Sequence, residues 1–148
     1  MGITENRVGW GMKPNKTVLM IVEDDPFVGG WLANHCEHLF SEIQTFEVAE
    51  KAISTARSMD EHERRVWLID LNLAEGSRGN ELCLEVKNSY RNDRVIILSR
   101  TKDQAVVWMT LHYAKADAFL VKGFGEKYAL EIQRGSTPPS RDLNMKTN

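Results

Sequence analysis

The sequence predicts a doubly wound α/β fold, a five-stranded parallel sheet with helices on both faces. Segments 17–22, 65–69, 94–98 and 118–121 are short and apolar without alternation, as strands covered on both faces read. Stretches with helical spacing separate them. The strand–helix order then repeats along the whole chain, which implies βαβ units joined by right-handed crossovers.

Each element has its own signal. The first strand is Val18-Leu19-Met20-Ile21-Val22, followed by a helix over 26–40 whose apolar stripe is Val28, Leu32, Cys36 and Leu39. A weaker strand at 43–47 precedes a helix over 49–59 carrying Ala49, Ala52, Ile53 and Ala56. The third strand, Val66-Trp67-Leu68-Ile69, leads to a helix over 80–90 with Leu82 and Val86 inward. Val95-Ile96-Ile97-Leu98 is the fourth strand, and 103–114 the fourth helix, with Val107, Leu111 and Ala114 toward the sheet. Ala118-Phe119-Leu120-Val121 closes the sheet, and a last helix covers 125–133.

A chain of 148 residues fits one domain that buries roughly 70% of its unfolded surface. We expect a flexible tail over 1–16, a domain over 17–134 and a second flexible tail over 135–148, both tails being polar and without periodicity. A net charge of −2 offers no basic stripe for nucleic acid. No apolar run reaches the ~20 residues of a membrane span, and residues 1–16 lack the apolar stretch of a signal peptide, so a cytoplasmic protein is expected. Cys36 and Cys83 fall on helices expected on opposite faces, hence buried thiols rather than a disulfide. His35, Cys36 and His38 diverge around one helix and do not read as metal ligands.

The chemistry gathers at the ends of the strands. In open α/β sheets, ligands bind beyond the carboxyl ends. There the sequence puts Glu23, Asp24 and Asp25 after the first strand, Asp70 after the third, Ser99 after the fourth and Lys122 after the fifth. Neighbouring carboxylates repel unless a cation joins them, and oxygen ligands suit Mg²⁺. A hydroxyl can bond a phosphoryl oxygen, an ammonium can neutralise one, and an aspartate can attack phosphorus.

Four motifs in this order resemble the receiver domain of two-component response regulators, from about Thr17 to Gln133: Val22-Glu23-Asp24-Asp25, Ile69-Asp70-Leu71-Asn72, Leu98-Ser99, and Ala118-Phe119-Leu120-Val121-Lys122. The resemblance implies a flavodoxin-like sheet of strand order 2-1-3-4-5 and a part in a signalling phosphorelay. It implies that Asp24 holds Mg²⁺ directly and Glu23 through water, with Asp25 an extra acid at the rim. Asp70 would take phosphate from a sensor histidine kinase or phosphotransfer protein, and Asn72 would give its backbone carbonyl to the metal. Ser99 and Phe119 match the switch positions, and Lys122 the lysine that contacts the phosphoryl group. Such a protein is no enzyme beyond assisting its own phosphoryl transfer and dephosphorylation. By the same resemblance the 103–114 helix, with Trp108, Met109 and His112 nearer solvent, is expected to meet a downstream protein target or a second copy of the chain.

The chain departs from the family pattern at Gly123, where proline usually follows the lysine, and at Arg100, where a small residue usually follows the hydroxyl. Arg100 is therefore a candidate modulator, able to pair with Asp25 or Glu75. The loop 73–79 lacks the usual proline, and Lys115 replaces a glycine that would cap the fourth helix. Taken singly, Asp24 or Asp25 reads as a helix cap before Pro26, Ser99 as a turn residue, Asp103 as a cap of the fourth helix, Lys122 as a surface lysine, and Phe119 and Trp67 as core. The alternative function is a receiver-like interaction module without a phosphorylation cycle. A phosphohydrolase with an aspartate nucleophile needs a second acid two residues on, where Asn72 stands.

Overall fold

Val18 to Val22 is a run of five apolar residues with no solvent exposure, and it forms an inner strand of the sheet. The computed structural model describes residues 16–60, 62–73, 79–122, 131–134 and 136. Its elements run β1 (Thr17–Val22), α1 (Pro26–Cys36), β2 (Glu42–Phe46), α2 (Ala49–Ser58), β3 (Arg64–Asp70), α3 (Gly79–Ser89), β4 (Arg94–Ser99), α4 (Gln104–His112) and β5 (Ala118–Val121). All strands are parallel, in the order β2-β1-β3-β4-β5, the flavodoxin-like arrangement that the resemblance implied.

Successive residues of each strand point to opposite faces, so the same strands feed two cores. On one face Val18, Met20, Val22, Trp67, Ile69, Val95 and Ile97 pack with α2 and α3. On the other, Leu19, Ile21, Val66, Leu68, Ile96 and Leu98 pack with Leu32 and Cys36 of α1 and with Ile132. Residues 131–134 are helical, and residues 125–130 of the expected last helix lie outside the described residues. Cys36 and Cys83 are free and buried on opposite faces. Burial pushes their thiols up to about 11 and about 12, respectively, which keeps both as inert thiols.

Three expectations need correction. The helix expected to reach residue 40 stops at Cys36. Leu39 N–H turns back to the Cys36 carbonyl at 2.9 Å, and Ser41 N–H bonds the Thr17 carbonyl at 3.0 Å, which commits the chain to β2. Leu39 and Phe40 had extended the apolar spacing, yet Phe40 packs against the core from this turn. Segment 118–121 packs against both cores, Phe119 on one and Ala118 and Leu120 on the other, but is less buried than expected. As the edge strand β5 it is half-buried throughout. The stripe of α4 needs amending too, since Thr110 is its one fully buried residue while Val107 and Leu111 are half-buried. Trp108, Met109 and His112 are exposed as expected, and Tyr113 joins them. Between α4 and β5, Lys115 takes φ 67, the left-handed conformation that glycine adopts without steric cost.

Candidate functional site

Strand register brings the carboxyl ends together. Val22 pairs with Ile69, Asp70 with Leu98, and Ser99 with Val121, so the residues that follow or close these strands meet at one edge. Backbone bonds fix the exits: Glu23 N–H to the Phe46 carbonyl at 2.9 Å, Leu71 N–H to Leu98 at 2.8 Å, and Lys122 N–H to Ser99 at 2.8 Å. Beneath Asp70 lies the start of α3. A Cβ on Gly79 would overlap the Asp70 carbonyl oxygen and stand 2.9 Å from Leu71 Cα, so only glycine lets α3 pass this close to the acidic strand end.

At this edge Lys122 Nζ stands 3.2 Å from both Glu23 Oε1 and Asp70 Oδ2. Ligand atoms of Glu23, Asp24 and Asp70 all lie within 4.8 Å of one another. Asp70 and Glu23 are buried, Asp24 half-buried. Asn72 N–H donates to Asp70 Oδ1 at 3.3 Å, and Asp25 N–H to Glu23 Oε2 at 3.3 Å. Burial, and then the charge of Asp70, push the Glu23 carboxyl up to about 7. One ammonium among three clustered carboxylates leaves a surplus of negative charge in a partly desolvated place.

The cluster opens into a cavity of about 570 Å³ whose lining includes Asn72, Ser99, Arg100 and Thr101 beside the acids and Lys122. Three converging carboxylates next to open, polar space fit a hard divalent cation such as Mg²⁺, which takes oxygen ligands and keeps several waters. Asn72 lines the same cavity, where the resemblance assigns its carbonyl to the metal. Ser99 is buried, and its Oγ accepts from Thr101 N–H at 3.1 Å. Phe119 is half-buried against the core on the α2 and α3 face.

Asp25 stands apart from the carboxylate cluster. It caps α1, its Oδ1 accepting from Phe27 N–H at 2.9 Å with Pro26 in the first turn, the capping alternative read from the sequence. Arg100 is exposed on the cavity wall and makes no ion pair among the described residues. Glu75 and the Lys122–Gly123 bond lie outside them.

Sequence reasoning read Ser99 as a turn residue and Asp103 as a helix cap, and missed only Thr101 between them. Thr101 Oγ1 accepts from Asp103 N–H at 3.0 Å, and Asp103 Oδ1 caps α4 by accepting from Ala105 N–H at 2.8 Å. Three short side-chain turns thus run from the Ser99 hydroxyl to the N-terminus of α4. The Ser-x-Thr-x-Asp spacing was the available signal.

The sequence matches the family described as "Response regulator receiver domain" over residues 19–132. The chain belongs to that family. Several solved structures share its fold. Chemotaxis protein CheY4 of Vibrio cholerae superposes with a TM-score of 0.71 at 17% identity, over 84% of this chain and 100% of that one. The signal receiver domain of an HD domain-containing protein from Pseudomonas fluorescens Pf-5 gives 0.72 at 13%, over 86% and 91%. Response regulator TrrA of Thermotoga maritima, solved in complex with Mg²⁺ and BeF, gives 0.65 at 21%, over 81% and 98%. No curated protein matches. The chain is thus a receiver domain of the two-component signalling type, and no helix among its described residues is long and apolar enough to cross a membrane.

Proposed function

We propose that this receiver accepts a phosphoryl group on Asp70 from the phosphohistidine of a sensor histidine kinase or phosphotransfer protein, as a cytoplasmic signalling protein rather than a turnover enzyme. The observation that carries this reading is the approach of Lys122 Nζ to 3.2 Å from Asp70 Oδ2 beside two further carboxylates. Glu23, Asp24, Asp70 and the Asn72 carbonyl would hold Mg²⁺. When bound, the ion neutralises charge on the carboxylates and the incoming phosphoryl oxygens.

Asp70 Oδ attacks phosphorus in line. The P–N bond to the donor imidazole breaks, the imidazole keeps the electron pair and a proton, and an aspartyl phosphate remains. Lys122 gives its ammonium to a phosphoryl oxygen in place of the Asp70 carboxylate oxygen. The Ser99 hydroxyl donates to another and moves away from Thr101 N–H. That motion reaches Asp103 and α4, where Trp108 lies 4.8 Å from the His112 ring and 5.3 Å from Tyr113 between centroids. Trp108 and Met109 are about half exposed, at 51% and 48%, an apolar surface suited to a downstream protein target or a second copy of the chain.

Incubation with a small phosphodonor such as phosphoramidate and Mg²⁺, followed by intact-mass measurement, should add one phosphoryl group to the wild type and none to Asp70→Asn. Labelling that persists in the variant rejects the acceptor assignment. A wild type that never labels favours the interaction module without a phosphorylation cycle. For the α4 face, sedimentation with and without beryllofluoride should show association that Trp108→Ala weakens. A wild type that stays monomeric, with target binding unchanged by the substitution, removes α4 as the output surface.

A further inference from the structure

At the opposite end of the sheet, where β3 and β4 begin, lies a groove of about 1150 Å³ between residues 56–59 and 62–65 on one side and 88–93 on the other. Among the described residues four arginines line it, namely Arg57, Arg64, Arg65 and Arg91, and no lysine does. Against them stand Glu63 and Asp93. Glu63 lies 3.7 Å from Lys16 Nζ, while Asp93 is buried and engaged by Arg65 and Trp67. The groove therefore carries surplus positive charge.

Arg65 forms its floor. The residue is only 7% exposed, fixed by Nε to Asp93 Oδ2 at 2.7 Å and by its guanidinium 4.4 Å above the Tyr90 ring. Neither of its Nη groups has a protein acceptor among the described residues. A guanidinium held rigid at Nε, with its Nη edge unpaired among the described residues, is a preorganised two-pronged donor. Arg57, Arg64 and Arg91 are exposed around it and make no ion pair among the described residues.

We propose that this groove binds a phosphate-bearing small molecule of nucleotide size, with Arg65 as the fixed donor and Arg57, Arg64 and Arg91 as the rim. Arginine without lysine suits acceptors that offer paired oxygens, because the planar fork meets two at once. Rigidity at the floor lowers the ordering cost of binding. Asn88 and Asn92, exposed on the same walls, offer amide pairs that could read a nucleobase edge.

Calorimetric titration of the metal-free protein in EDTA tests this, with inorganic pyrophosphate and ADP as probes. Omission of Mg²⁺ keeps anions away from the acidic site, and Asp70→Asn should bind as the wild type does, whatever becomes of the phosphorylation reading. We expect pyrophosphate binding that weakens about tenfold in Arg91→Gln and again in Arg64→Gln, with unchanged melting curves. Arg65→Lys, which keeps the charge but loses the fork, should weaken it as well. ADP binding several-fold more tightly than pyrophosphate identifies a nucleotide, and equal binding identifies the diphosphate alone. Absence of binding by both probes at millimolar concentration, or binding that survives Arg64→Gln and Arg91→Gln, overturns the proposal. So does a hexa-aspartate peptide that binds more tightly than either probe, which would make the groove a protein-docking surface.

Discussion

The two ends of this sheet handle charge in opposite ways. At the carboxyl end, three carboxylates face one lysine, their ligand atoms within 4.8 Å. At the other end, the carboxylates are matched by donors. Asp93 Oδ2 accepts from Arg65 Nε at 2.7 Å and Trp67 Nε1 at 2.9 Å. Asp117 takes Lys87 Nζ at 2.9 Å, Arg94 Nη1 at 3.3 Å and the Val95 N–H at 2.8 Å, while Lys87 also reaches the Asp93 carbonyl. A matched network holds loops in place. An unmatched carboxylate cluster stores a demand for a ligand, which we propose to be a cation and a phosphoryl group. Substitution of an acid should therefore have opposite consequences at the two ends.

The largest effect is expected at Asp93. Asp93→Ala leaves Arg65 buried without its carboxylate and Trp67 N–H without an acceptor, and should cost about 3–5 kcal/mol in urea unfolding. Asp70→Asn removes one of the crowded carboxylates instead, and should leave metal-free stability unchanged or raise it by about 1 kcal/mol. Equal losses at both positions would erase the distinction between the two ends.

A smaller effect should appear with pH. The Glu23 value of about 7 in the fold exceeds its ordinary 4.5, so folded protein holds this proton more tightly than unfolded protein does. The resulting stability is fully present below about pH 4.5, falls as pH rises and is lost above about 7. Metal-free wild type should accordingly lose stability relative to Glu23→Gln between pH 5.5 and 8, checked by urea unfolding in EDTA. Mg²⁺ affinity should change in the other direction, rising with pH through this range as the ion displaces the proton.

Much of the fold was legible because β1, β3 and β4 are covered on both faces and read as unbroken apolar runs. β2 read weakly for a physical reason: it is an edge strand, and Glu42, Gln44 and Thr45 interrupt its apolar residues. The end of α1 was misread because Leu39 and Phe40 continue the helical spacing, whereas the turn is set by backbone bonds to Cys36 and Thr17. At the site, Glu23, Asp24, Asp70, Ser99 and Lys122 were visible as polar residues at strand ends, where parallel strands of similar length must bring them together. Asp103 was legible as a cap of α4, whereas the Thr101 turn was not, because bonds from side chain to backbone leave no periodicity. Asp93 was hidden for another reason: its partners Arg65 and Trp67 are 28 and 26 residues away in sequence, although a buried tryptophan N–H demands an acceptor somewhere.

The most direct test of the account is the melting temperature with Mg²⁺ and beryllofluoride. If the carboxyl end of the sheet awaits a cation and a phosphoryl group, the two together should raise the melting temperature of the wild type, by a shift equivalent to about 2.7 kcal/mol at a hundredfold excess over Kd. They should raise that of Asp70→Asn not at all. No shift in the wild type, or an equal shift in the variant, would contradict the assignment of this end as the phosphoryl site.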